Sequence, residues 1–439
     1  MSPLRSAAAI VVAGTLALVT AACIGQTAAE DGASNDPQVA ANPPNPGQLA
    51  NFHKALADLQ GRRTGRVTIV QIGDSHTASD HFSGRLRELF QQRFGDGGRG
   101  MLPPGSPFPY FRPYQVEVSQ SGRWEVLSSN SSANGDAGIY GLSGFVVRGR
   151  SPTDTMTLNT SEGRIFDRLE VEVMRQPGGG SLDVFIDGRS VGVIDTKGSV
   201  YDLFRRGFDA PGSAYVELRP RGNGVVDIAD WAVYRRGPGV VLTSHGFSGA
   251  QVNLLDRWNF QLVADQMRNL RPALIILAFG TNEGFASQER LGDYAGEFRS
   301  RVQALRQAAP GASIVIVGPP DGNRLPSYCG RIKGERPCAP LSRAEAADYT
   351  HRLAGGDRAL CRWHTPAAVD YVRRAQQQVA RQLNLYFWDW SSIQGGACGA
   401  DRWMRQELAH RDRVHMKQDG YWQSADALFE NLMRGYRAR

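Results

Sequence analysis

The sequence has no glycine-rich turn of the dinucleotide or P-loop type, so a bound nucleotide has no signature in it. It also has no Lys/Arg block. Its 50 basic and 43 acidic residues leave a formal charge of +7, but the arginines are scattered, which argues against nucleic acid as a partner. The 50 glycines and 23 prolines follow no collagen-like period, and no internal repeat is visible. The most apolar run, Ala7 to Ala22, is too short to cross a bilayer comfortably. Metal-ligand spacing is missing as well, because His76 and His81 have no partner ligands near them. No cofactor and no metal are therefore expected.

What is present is an ordinary globular composition, 41% hydrophobic and 21% charged over 439 residues, enough for one large core or two ordinary ones. Arg5 and the apolar run after it read as an export signal over residues 1–23. Ala21-Ala22-Cys23 is similar to a bacterial lipobox, whose cysteine is lipidated; a plain Ala-x-Ala cleavage is the alternative. A lipoprotein anchor at Cys23, and an exported, periplasmic or cell-envelope location, are the corresponding expectations. Setting Cys23 aside leaves Cys329, Cys338, Cys361 and Cys398, which allow three pairings. An oxidising compartment favours disulfides. Cys329 and Cys338 bracket a short Gly/Pro-containing loop, so Cys329–Cys338 with Cys361–Cys398 is the expected pairing.

Residues 24–50 are small, polar and Pro-rich, as in a flexible tether. From Asn51 the pattern is globular. Val67 to Ile72 is a β-branched run suited to a buried parallel strand, and Asp80 to Phe94 has apolar residues at helical spacing. Residues 106–239 have another texture: ten short β-prone runs cut by Gly, Pro, Asn and Asp, with Asp187-Gly188 as a hairpin turn. Such a pattern predicts a β-sandwich or jelly roll. After Val240, strands (Val240–Ser244, Ala273–Phe279, Ser313–Val317, Leu385–Trp388) alternate with helices (Ala250–Leu270, Gln288–Ala308, Pro366–Leu383, Tyr421–Arg437). The fold class is α/β: a parallel sheet built from residues 51–105 and 240–439, interrupted by a β-sandwich insertion.

In an open parallel sheet, ligands bind outside the carboxyl ends of the strands. Three such ends carry chemistry: Gly73-Asp74-Ser75, Gly246-Phe247-Ser248-Gly249 and Gly280-Thr281-Asn282-Glu283. Asp412-Arg413-Val414-His415 precedes the last helix. A serine hydroxyl is a weak nucleophile without a base to take its proton. His415 can be that base, and Asp412 can hold the imidazole in the required tautomer. The oxyanion of an acyl transfer needs donors, which the backbone N–H groups of Ser75 and Gly249 and the Asn282 amide can supply. Taken singly, each has an ordinary alternative: a turn Ser, a helix-entry Gly, a turn Asn, a capping Asp beside a surface His. Ser248 lacks the last glycine of Gly-x-Ser-x-Gly, and His410 and Asp419 have the wrong spacing. Trp388, Trp390, Trp403 and Trp422 fit core or groove packing.

These four segments, in this order, resemble the blocks of the SGNH/GDSL hydrolases, over about Val67–Thr77 and Val240–Tyr421. The resemblance implies a flavodoxin-like sheet, Ser75 as nucleophile, Gly249 and Asn282 in the oxyanion hole, and Asp412 with His415 completing a triad. Ile72 to Ala78 and Gly280 to Glu283 look like the exported bacterial peptidoglycan O-acetylesterases, which similarly place a carbohydrate-binding-module-like β-sandwich between the first two blocks. An O-acetylated polysaccharide would then be the substrate and partner. The rivals are an O-acetyltransferase using the same triad, a lipase or thioesterase, and a non-catalytic glycan-binding envelope protein.

Overall fold

A computed structural model describes residues 43–135, 138–330 and 337–438. The export signal, Cys23 and most of the tether lie outside the described residues. The centre is a five-stranded, all-parallel sheet in the spatial order Gly239–Gly246, Arg66–Gly73, Pro272–Ala278, Ser313–Val317, Tyr386–Trp388. Counted along the chain this is the order 2-1-3-4-5 of flavodoxin-like folds, whose switch point lies between the first and third strands. Burial on both faces explains the unbroken apolar strands. Val67 and Ile69 meet the helices Ala50–Arg62, His81–Phe94 and Gln418–Met433. Val70 and Ile72 point to the other face, against Phe260–Leu270, Tyr294–Ala308 and Ala367–Gln382.

Between the first two strands of this sheet the chain builds two antiparallel sheets. One contains Asp202–Ser213, Phe166–Arg175, Val226–Tyr234, Phe145–Gly149 and Glu125–Ser128, with Gly100–Leu102 added beside Val226–Tyr234. The other contains Val116–Ser121, Thr155–Thr160, Tyr215–Pro220, Ser181–Ile186 and Arg189–Asp195. Their facing side chains, among them Leu158, Val171, Val184, Val216, Ile228 and Trp231, form one core. The hairpin predicted at Asp187-Gly188 is present, both residues having positive φ (48° and 75°), the geometry of a type I′ turn.

The insertion and the α/β layer share interior. Tyr140, Leu142, Phe145 and Val146 join the same apolar cluster as Val70, Ile72 and Val263. The Phe145 ring stacks on Phe247, 5.5 Å between centroids. Gln266 crosses the junction: its Oε1 accepts from Leu142 N–H at 2.6 Å, and its Nε2 donates to Glu172 at 2.6 Å and Asp230 at 2.7 Å. Burial pushes the Asp230 carboxyl up to about 8, so at neutral pH it sits there largely protonated.

Several local expectations need correction. The helix expected over Ala250–Leu270 is a 3₁₀ segment, Val252–Arg257, followed by Phe260–Leu270, because the Asn259 side chain caps a new start at Gln261 and Leu262. Asp293 likewise caps Tyr294–Ala308 and separates it from the 3₁₀ segment Gln288–Leu291. Two of the ten β-prone runs, Val225–Ile228 and Trp231–Arg235, fall in one buried strand, Val226–Tyr234, with a register shift between Ile228 and Asp230. Asp202–Ser213 was not expected as a strand; it pairs with Phe166–Arg175 although it carries Arg205, Arg206, Asp209 and Pro211.

The disulfide pairing is also corrected. The bonds are Cys329–Cys361 and Cys338–Cys398, with Cα separations of 5.3 and 5.6 Å, in place of Cys329–Cys338 and Cys361–Cys398. Closeness in sequence does not decide the pairing. Cys338 lies against the start of the helix Gly399–Arg405, where its N–H donates to Asp401, and that contact brings it to Cys398. Cys329 ends a 3₁₀ turn whose Tyr328 hydroxyl donates to the Asp357 carbonyl at 3.0 Å, just before the Arg358–Leu360 turn that leads to Cys361.

Candidate active site

The strand Arg66–Gly73 ends in a tight turn into a short helix, Ser75–Ala78, capped by Asp74, whose carboxylate accepts from the His76 N–H at 3.0 Å. Asp74 N–H donates to the Ala278 carbonyl at 3.2 Å, which fixes the turn against the neighbouring strand end. Gly73 is required by this close approach: a Cβ there would lie 2.5 Å from the Ala278 oxygen and 2.3 Å from the Thr77 hydroxyl. Ser75 is thereby held at the first position of the helix, half-buried at the switch point of the sheet.

The Ser75 hydroxyl lies 3.0 Å from His415 Nε2. On the other side of the ring, Nδ1 lies 2.8 Å from Asp412 Oδ2. Asp412 Oδ1 accepts from the N–H groups of Val414 and His415, each at 3.0 Å, so one carboxylate both closes the turn and orients the ring. Burial works against the Asp412 charge, but the His415 ring and those two N–H groups outweigh it and hold the carboxyl well below the usual range. The hydrogen bond that His415 makes to the Asp412 carboxylate raises the imidazole above the ordinary histidine value; burial opposes the rise, and the charges of Asp412 and Asp74 add to it.

The remaining two predicted residues sit on adjoining loops. Asn282 Nδ2 donates to the Ala250 carbonyl at 2.8 Å, which ties the third strand end to the second and leaves its other amide N–H uncommitted to that bond. Gly249 has φ +75°, and a Cβ on it would meet nothing within 4 Å; glycine is called for there by the backbone dihedral, not by space. From the insertion, Asn130 Nδ2 donates to the Ser248 carbonyl at 3.0 Å, so the β-sandwich touches this loop.

Three buried ionisable groups surround the pair without having been singled out for catalysis. His76 donates to or accepts from the Tyr421 hydroxyl at 2.9 Å, and its ring lies 5.5 Å from that of His415. Burial lowers it to about 3, so it is neutral. Asp74 is raised to about 6 by burial. Glu283 is raised to about 7, also by burial, and accepts the Val252 N–H at 2.8 Å, a second tie between the loops of Gly249 and Asn282. Only the position of Glu283, next to Asn282, could have drawn attention to it in the sequence. Trp388, Trp390 and Trp403 are core residues. Among the described residues no group of three or more His, Cys, Asp or Glu side chains could hold a metal ion.

The GDSL-like lipase/acylhydrolase family matches residues 223–423, a span that contains Gly249, Asn282, Asp412 and His415. The chain carries a GDSL-like hydrolase domain. It is a carboxylic ester hydrolase. Ser75 lies outside the matched span of this domain, and the sheet brings it in, since its strand pairs with Gly239–Gly246 on one side and Pro272–Ala278 on the other. A comparison with curated proteins gives no match. Among solved structures, a peptidoglycan O-acetylesterase is similar over 91% of this chain and 98% of its own, at 24% identity and a TM-score of 0.69, which shows a common fold. A family two carbohydrate esterase from Cellvibrio japonicus is 16% identical over 73% of this chain and 98% of its own, with a TM-score of 0.26, too low to bear on the argument. Among the described residues no helix is long and apolar enough to cross a membrane.

Proposed function

We propose that this GDSL-like hydrolase is an O-acetylesterase that removes acetyl groups from a cell-envelope polysaccharide, with peptidoglycan as the polymer. The observation that carries the reading is the relay of Ser75, His415 and Asp412 at 3.0 and 2.8 Å, set at the switch point of the sheet. The fold shared with a peptidoglycan O-acetylesterase over 91% of this chain supports the choice of polymer. The two disulfides support a location outside the cytoplasm, in the periplasm or envelope.

In this mechanism Ser75 Oγ attacks the acetyl carbonyl carbon as its proton passes to His415 Nε2. The oxyanion is met by the N–H groups of Ser75 and Gly249 and the free amide N–H of Asn282. Collapse expels the sugar oxygen, which takes the proton from His415. Water then attacks the acetyl-serine, gives its proton to His415, and acetate leaves as Ser75 recovers its hydrogen. The test is acetate release from O-acetylated peptidoglycan measured beside acetylated xylan and acetylated alginate. Preferential release from peptidoglycan is expected. Release from xylan or alginate alone would overturn the polymer assignment, and acetylated acceptor without free acetate would make the protein a transferase.

The pH dependence has a definite sign. His415 must be neutral to take the proton, and its folded-state value is raised by Asp412. kcat/KM should therefore fall as pH drops through a midpoint above the ordinary histidine value of about 6.5. Asp412→Asn removes the cause of the rise, so the midpoint should move to lower pH, while kcat at neutral pH drops by up to about 10⁴-fold because the tautomer is no longer fixed. A pH–rate profile on a chromogenic acetate ester reads both effects, and a midpoint that stays in place in the variant would contradict the assignment of Asp412.

A further inference from the structure

The turn that carries Asp412 and His415 is itself held from one residue between them. Arg413 has φ +56°, a left-handed conformation that a residue other than glycine adopts at a cost and keeps only when its surroundings fix it. Five contacts fix it, the most local being the bond from its Nη1 to the Arg411 carbonyl at 3.1 Å. Its N–H donates to the His410 carbonyl at 3.0 Å, and its own carbonyl accepts from Asn323 N–H at 2.9 Å. Its Nε donates to Asp401 Oδ1 at 2.6 Å. Its guanidinium carbon lies over the Trp363 ring, 4.0 Å from the centroid.

The far end of this anchor is rigid. Asp401 is buried, and its N–H donates to Asn323 Oδ1 at 2.9 Å. Its other carboxylate oxygen accepts from Arg405 at 3.0 Å and from the Cys338 N–H at 3.3 Å. The Cys338–Cys398 bond closes beside it, and Ala339 N–H donates to the Trp363 carbonyl at 3.0 Å. Both surfaces that hold the Arg413 side chain, the carboxylate and the indole, thus abut the same disulfide-bonded segment.

We propose that Arg413 is a positioning residue: clamped between Asp401 and Trp363, it holds the Asp412–His415 turn so that Nε2 stays within hydrogen-bonding reach of Ser75. This rests on the reading of His415 as the base. Displacement of such a group by about 1 Å can cost ~10²-fold in turnover.

The test compares the full-length wild type with Arg413→Ala, Arg413→Gly, Arg413→Lys and Asp401→Asn on p-nitrophenyl acetate, with circular dichroism as the control for folding. The downfield Nδ1 proton resonance of His415 is recorded for each. Arg413→Gly tolerates the positive φ and removes only the anchor, so it remains decisive if the alanine variant unfolds. The expected result is ~10²-fold lower kcat in the Ala and Gly variants with KM within about twofold, and a broadened or lost Nδ1 resonance. Asp401→Asn should follow them. Arg413→Lys should recover to about tenfold below wild type, because an ammonium can reach Asp401 but cannot lie flat on the indole. A wild-type kcat together with an unchanged resonance in folded Arg413→Gly overturns the proposal. A wild type inactive on every acetyl ester would instead refute the esterase reading, and the resonance would still decide whether Arg413 positions the ring.

Discussion

Ser75→Ala is expected to lower kcat on a chromogenic acetate ester by about 10⁴- to 10⁶-fold while leaving the fold intact. The hydroxyl makes its hydrogen bond to His415 and is half-buried, so its removal opens no core cavity. The capping of the Ser75–Ala78 helix comes from Asp74, not from Ser75, and survives the substitution. His415→Ala should cost a similar amount, and the double variant little more than either single one, because nucleophile and base act as a unit. What would remain is the contribution of binding and of the oxyanion donors. Substantial activity in Ser75→Ala, or additive losses in the double variant, would mean that the hydroxyl and the imidazole do not work on the same bond.

Asn282→Ala should cost about 10² to 10³ in kcat, whereas Gly249→Ala should cost far less. The two residues are assigned to the same oxyanion, but they supply it differently. Asn282 offers a side-chain amide whose other N–H already holds the Ala250 carbonyl at 2.8 Å, so the substitution removes a donor and loosens the loop that bears the second one. Gly249 offers a backbone N–H that alanine keeps. A Cβ at 249 meets no atom within 4 Å, and what the change introduces is the left-handed strain of φ +75°, on the order of 1–2 kcal/mol. That strain should appear as a lower melting temperature more than as a lower kcat. Equal and large losses of kcat from both would indicate that the loop position, not the amide, is what the reaction needs. No loss from Asn282→Ala would remove the side chain from the oxyanion hole altogether.

The parts of this protein that were legible in the sequence are those dictated by short-range chemistry. Val67 to Ile72 announces a strand buried on both faces, and Gly73-Asp74-Ser75 after it announces a turn at a strand end. Asp412 and His415 lie three apart in a loop, near enough for one turn to bring both to a single side, and the structure places them 2.8 Å apart. What escaped was decided by partners far along the chain. Asp202–Ser213 is polar and interrupted, and becomes a strand because Phe166–Arg175 offers it a ladder. The cysteines were paired by proximity in sequence, whereas Cys338 is carried to Cys398 by a contact with Asp401. Glu283 and Arg413 both lay within segments already read for their neighbours, but their roles depend on Val252 and on Asp401, which nothing local indicates.

The order of the parallel sheet has a consequence for biosynthesis. Its strand Arg66–Gly73 is made first, yet both strands that flank it, Gly239–Gly246 and Pro272–Ala278, are made only after the whole β-sandwich. A nascent chain therefore carries a mostly apolar strand with two vacant edges through the synthesis of everything in between, a template for pairing with other chains. Ser75 is borne on the segment that waits longest for its neighbours, and its hydrogen-bond partner His415 is made only with the last stretch of polypeptide.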